Sequence, residues 1–112
     1  MRAALIGFLL IAAVPAWSAP VASSSASAQT KAIEFARSAS KAYQEGRFGD
    51  AIRDYQKANK LQPDPVLDIN IGRCYEKLGK IPEALLHCKI ALNARSANPR
   101  VRTAARKCVD RV

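Results

Sequence analysis

The sequence predicts an all-α fold made of repeated helical hairpins, and three observations carry that expectation. First, residues recur at a nearly fixed offset: Gly46 and Gly79, Ala51 and Ala84, and Ala58 and Ala91 all lie 33 apart, and Tyr55 pairs with Cys88 in the same register. A period of 33–34 residues is the mark of stacked helical units, each too small to bury its own apolar face. Second, helix stop and start signals recur with that period. Gly46 and Gly79 suit the left-handed position just past a helix end, and Asp64-Pro65 and Asn98-Pro99 read as N-cap followed by first helical residue. Third, the composition is ordinary globular usage, 49% hydrophobic and 24% charged, with three Cys in 112 residues. That disfavours a disordered chain, a collagen-like chain and a disulfide-dense miniprotein.

The elements follow in order. Met1-Arg2 precedes an uncharged run from Ala3 to Val14, which Pro15 breaks before small residues begin. This is the layout of a secretory signal peptide, with Ala16 and Ser18 at −3 and −1 of a cut after Ser18. A cut after Ala22 or Ser23 is the alternative. As a helix the run reaches ~18 Å, short of a ~30 Å hydrocarbon core, so no transmembrane segment is expected in the mature protein. Residues 19–30 are Ser/Ala-rich and uncharged, and are expected to be a flexible tether, because they bury too little to offset their ordering entropy.

Helices are then predicted near 31–45, 49–61, 65–78, 82–94 and 99–111. Their expected core contains Ile33, Phe35, Phe48, Ile52, Tyr55, Leu61, Val66, Leu67, Ile69, Ile71, Tyr75, Leu78, Ile81, Leu85 and Leu92. Gly72 and the alanines at 39, 51, 58, 84 and 91 are expected where helix axes approach closely. The last helix should turn Val101, Ala104, Ala105, Cys108 and Val109 inward and its arginines outward.

The stretch Tyr43-Gln-Glu-Gly46-Arg-Phe48-Gly-Asp-Ala51-Ile-Arg-Asp-Tyr55-Gln-Lys-Ala58-Asn-Lys-Leu61-Gln-Pro63 resembles the second half of a tetratricopeptide repeat. Asn70-Ile71-Gly72-Arg-Cys-Tyr75-Glu-Lys-Leu-Gly79-Lys-Ile81-Pro-Glu-Ala84-Leu-Leu-His-Cys88-Lys-Ile-Ala91-Leu92 resembles the family more fully. Phe35, Ala39, Ala51, Tyr55, Ala58 and Pro63 take the pattern positions of the first repeat, and Gly72, Tyr75, Ala84 and Ala91 those of the second. Asp68 stands where the family has an aromatic, Cys88 replaces the second aromatic, and Ser96 the closing Pro. The resemblance implies an α-α solenoid: two repeats over 31–98 (about 32–65 and 66–98), closed by a capping helix over 99–112.

The resemblance also implies that Cys88 faces Cys108 on the following helix. A disulfide there would close a loop of about 20 residues, worth ~3 kcal/mol. The alternative is three buried thiols packing as small hydrophobes. Cys74 is the odd cysteine, expected beside Tyr55.

Charge is uneven. Residues 86–112 hold seven Lys/Arg and one Asp, net +6, and residues 29–85 hold ten against eight, net +2; with Arg2 these make up the chain's +9. A basic end invites nucleic acid, but export and the lack of aromatics among the arginines disfavour it. A solvated cap that maintains solubility is expected, with attraction to acidic protein or an anionic envelope surface as the alternative. No spaced His/Cys set, catalytic triad or phosphate-binding glycine loop is present in the sequence, so neither enzyme nor cofactor is expected, and His87 is read as a surface residue.

Family resemblance implies a peptide-binding concave groove. Its lining would be Ile33, Ala36, Arg37, Ser40, Tyr43 and Gln44 from the first repeat. The second would add Val66, Ile69, Asn70, Arg73, Glu76 and Lys77, and the cap Thr103 and Lys107. Ala36 and Ser40 stand where the family's carboxylate clamp needs Lys and Asn, so that clamp is not expected. Arg37, Arg73, Lys77 and Lys107 favour an acidic or C-terminal carboxylate ligand. The expected protein is an exported adaptor, periplasmic or extracellular, that binds a protein or peptide. The alternative is a unit that self-associates end to end through its incomplete third repeat.

Overall fold

A computed structural model describes residues 20–112, with side chains from residue 26. The expected export signal, residues 1–18, lies outside them. The described residues form five α-helices: α1 Pro20–Gln44, α2 Phe48–Leu61, α3 Pro65–Lys77, α4 Ile81–Asn93 and α5 Pro99–Arg111. Each helix packs against the next, and α3 also touches α5.

Local chemistry sets the boundaries. Asp64 accepts a hydrogen bond from the Val66 N–H at 2.9 Å, and Asn98 accepts one from Val101 at 2.9 Å, so α3 and α5 start at side-chain caps with proline in the first turn. Gly46 (φ 77°) and Gly79 (φ 73°) end α1 and α3 in the left-handed region. After α1 the Arg47 N–H bonds back to the Ala42 carbonyl and Gly46 to Tyr43; after α3, Lys80 bonds to Tyr75 and Gly79 to Glu76. These are paired 6→1 and 5→2 bonds that satisfy the last carbonyls, and they require the glycine conformation.

α1 departs from expectation. It starts at Pro20, so helix occupies most of the stretch predicted as tether. Residues 26, 27, 29 and 30 are exposed, and Thr30 Oγ1 donates to the Ala26 carbonyl one turn back. Extending an existing helix adds a backbone bond per residue without a new nucleus, and an Ala/Ser run after a first-turn proline offers no breaker.

The core is made of small side chains. Ala39, Ala51, Ala58, Ala84, Ala91 and Ala105 are fully buried. The largest side chains almost wholly removed from solvent are Ile71, Cys74, Cys88 and Cys108. Five residues expected in the core are exposed: Ile33, Leu61, Val66, Leu78 and Ile81. Four of them sit at or beside a helix end, where solvent takes part of the surrounding shell, and Ile33 lies on a flank of α1 left uncovered among the described residues. Ala104 is likewise exposed while Ala105 and Cys108 are buried, because α5 turns only its 105/108 edge toward α3 and α4.

Cys88 and Cys108 are joined as a disulfide, with Cα atoms 5.7 Å apart. Gly72 lies directly beneath it. A Cβ at position 72 would sit 2.9 Å from Cys88 Sγ, 3.2 Å from the Ala84 carbonyl oxygen and 3.5 Å from Cys108 Sγ. Neither the backbone oxygen nor a crosslinked sulfur can swing aside. Gly72→Ala would normally gain helix propensity, up to ~1 kcal/mol, but overpacking costs about 1–3 kcal/mol. The variant is expected to be net destabilised by ~1 kcal/mol, lowering the melting temperature by roughly 4–8 °C. Gly79→Ala meets no atom within 4 Å, so its loss comes from backbone strain alone. Alkylation of the native, unreduced protein followed by mass spectrometry should label none of the three cysteines rapidly and, after unfolding without reductant, only Cys74.

Candidate functional site

The face formed by α1 and α3 brings together part of the expected groove. Ser40 and Tyr43 of α1, Asn70 and Arg73 of α3, and Tyr55 of α2 line a recess of about 210 Å³. Ser40, Tyr43 and Asn70 are half-buried and Arg73 is exposed. Tyr43 is fixed by an edge-on contact with Phe48, ring centroids 5.3 Å apart at 73°. Tyr55 forms the floor, and burial lifts its phenol above the ordinary value, with neighbouring Cys74 acting in the same sense. Burial also pushes the Cys74 thiol up to about 11, so it is a packing group and not a nucleophile.

The remaining groove residues divide. Arg37, Gln44, Lys77 and Lys107 are exposed, and Ile69 is half-buried. Glu76 is not free for a ligand. Arg111 of α5 donates to both its oxygens, Nε to Oε1 at 2.9 Å and Nη2 to Oε2 at 2.8 Å. The Arg111 hydrogen bonds hold the Glu76 carboxyl below its usual range. Two arginines expected to be solvated therefore have structural partners: Arg111 bridges α5 to α3, and Arg102 Nε donates to the Ala97 carbonyl at 3.1 Å.

On the other side, the structure shows a polar cluster the sequence did not announce. Asp68 is buried in the first turn of α3, where the helix dipole favours a carboxylate. His87 Nδ1 lies 3.1 Å from Asp68 Oδ1, and Asn59 Nδ2 donates to Oδ2 at 3.4 Å. The His87 ring stacks on Tyr75, centroids 5.6 Å apart at 23°. His87 is thus half-buried and engaged, not a bare surface residue. At position 68, where the resemblance read from the sequence calls for an aromatic, an acid stands instead, and an imidazole from α4 stacks on Tyr75 beside it. The available signal was the combination of an acid at an apolar position with the chain's single histidine on the helix that follows. Beside this cluster Arg53, Lys57 and Lys60 of α2, with Ile71 and His87, line a wider recess of about 470 Å³.

Among the described residues no group of three His, Cys, Asp or Glu could hold a metal ion, and no helix is long and apolar enough to cross a membrane. No family model matches the chain, and no curated protein or solved structure matches it either.

Two outcomes test this geometry. Asp68→Ala leaves His87 Nδ1 and Asn59 Nδ2 without their acceptor and is expected to lower unfolding free energy by about 1–3 kcal/mol in urea titrations, with Asp68→Asn milder. The Glu76 carboxyl is depressed in the folded state, so its contribution is present above its ordinary value of about 4.3 and is lost as pH falls through the lower folded value. Arg111 is exposed and Glu76 only half-buried, so solvent screens the pair and the acid-induced difference between wild type and Arg111→Gln should be small and confined to that range.

Proposed function

We propose that this chain is an exported interaction module of tetratricopeptide type, whose α1/α3 face holds an extended segment of a protein partner. The observation that carries the reading is the convergence of Ser40, Tyr43, Asn70 and Arg73 on one recess. An aromatic wall, two neutral hydrogen-bonding side chains and an exposed guanidinium suit a peptide backbone bearing a carboxylate. With Glu76 neutralised by Arg111, the positive charges of Arg73, Lys77 and Lys107 on α3 and α5 are left without an acidic counterweight from that residue, which favours an acidic or C-terminal segment. The succession of close-packed hairpins joined through alanines and glycine supports the solenoid reading, and the apolar leader in the sequence supports export. Arg73→Glu with Lys77→Glu should weaken the partner's affinity by about tenfold or more while leaving the melting temperature near wild type. Undiminished capture of the same partner by the double variant would contradict this placement.

A second reading rests on a different observation. Leu86 and Ile90, one turn apart on α4, are 56% and 44% exposed. Their counterparts one unit earlier, 33 residues back, are the charged Arg53 and Lys57. An apolar pair on the last hairpin is what end-to-end self-association would use. Sedimentation velocity should then show oligomers that Leu86→Glu dissolves; a monomer at high concentration rejects this reading.

A further inference from the structure

The recess between α2 and α4 has a charge pattern that packing does not explain. Arg53, Lys57 and Lys60 follow one another at spacings of four and three residues, which puts them on one stripe of α2. All three line the same recess of about 470 Å³, with Ile71 on its floor and His87 on its α4 wall. Among the described residues no carboxylate lines it. The nearest acid in the cluster, Asp68, lies behind His87 and already accepts from His87 and Asn59. Arg53 also pairs with Asp50 on its own helix and Lys57 sits 5.4 Å above the Phe35 ring, while among the described residues neither Lys57 nor Lys60 has an acidic partner.

The geometry selects among anions. At ~1.5 Å per residue the stripe extends about 10 Å along α2, with neighbouring charges offset by roughly 4.5–6 Å along the axis. Charges spread over that length suit a ligand that carries several of them, and none of the lining residues lies in the first turn of a helix, where backbone N–H groups would converge on a single phosphate. Alternate side chains of an extended peptide recur about every 6.6–6.8 Å, near the step of about 6 Å from Arg53 to Lys57, and the flexible Lys60 side chain can take up the shorter second step. The methylene stems of the two lysines would receive apolar residues placed between the acids. No unstacked aromatic lines the recess, which disfavours nucleic acid.

We infer that the α2/α4 recess is a second binding surface, taking an extended acidic peptide whose carboxylates pair with Arg53, Lys57 and Lys60. It is independent of the α1/α3 face and requires no particular occupant there.

The test is fluorescence anisotropy with the full chain and a fluorescein-labelled peptide of sequence Glu-Ala-Glu-Leu-Glu-Ala-Glu. Lys57→Gln with Lys60→Glu should weaken binding by about tenfold or more. A peptide with Gln in place of every Glu should bind at least as weakly to the wild type. Circular dichroism shows that the double variant keeps its helices, and Arg73→Glu, on the other face, reports which surface the peptide occupies. Loss of binding in Arg73→Glu but not in the lysine double variant would move the peptide to the α1/α3 face and overturn the assignment. Absence of binding, or equal binding of the Gln peptide, would overturn it as well. Displacement of the peptide by inorganic phosphate, where chloride of equal ionic strength fails to displace it, would make the recess a bare anion site and also reject the proposal.

Discussion

The approach of α3 to α4 and α5 at Gly72 is the constraint on which the C-terminal half of this protein depends. The Cβ that Gly72 lacks would collide with the sulfur of Cys88 and crowd the Ala84 carbonyl, with the sulfur of Cys108 already in contact, so the three helices meet with no atom to spare. Around that point the core is alanine and sulfur, with Ile71, among the described residues, the one large aliphatic side chain almost fully enclosed. Small side chains bring axes close and gain contact area per residue, but each buries little apolar surface. A core of this kind has little margin, and the covalent link and the Glu76–Arg111 pair both act where margin is thinnest, on the last helix.

The same arrangement explains how the charge is distributed. The basic C-terminal segment is not a uniform solvated coat, since Arg111 anchors α5 to α3 and Arg102 satisfies the carbonyl of Ala97 before the helix. Outside that segment, two basic features lie on opposite sides of α3. One centres on Arg73 and the other on the α2 stripe. Between them α3 carries Cys74, Ile71 and Asp68, buried groups that fix its rotation and so fix which residues reach each side.

Much of the architecture was legible in the sequence, for a local reason. Gly46, Gly79, Asp64-Pro65 and Asn98-Pro99 act within a few residues of themselves, so helix ends can be read without knowing what packs where. The alanine positions were legible because the period repeats them. The misreadings have a common source too. Ile33, Leu61, Val66, Leu78 and Ile81 are apolar in the right register, but apolarity does not tell whether a neighbour exists to cover a helix end or an outermost flank. The Asp68–His87 contact spans 19 residues and Glu76–Arg111 spans 35, and neither follows from any spacing rule. The α1 extension was missed because burial was weighed and helix propagation was not.

Native-state hydrogen exchange, followed along the chain in the oxidised protein and after reduction, tests the central constraint most directly. If the disulfide over Gly72 holds the last helix, amides of α5 should lose protection first on reduction, those of α3 near Gly72 should follow, and α1 and α2 should keep theirs. Uniform loss across all five helices, or no change in α5, would contradict the account.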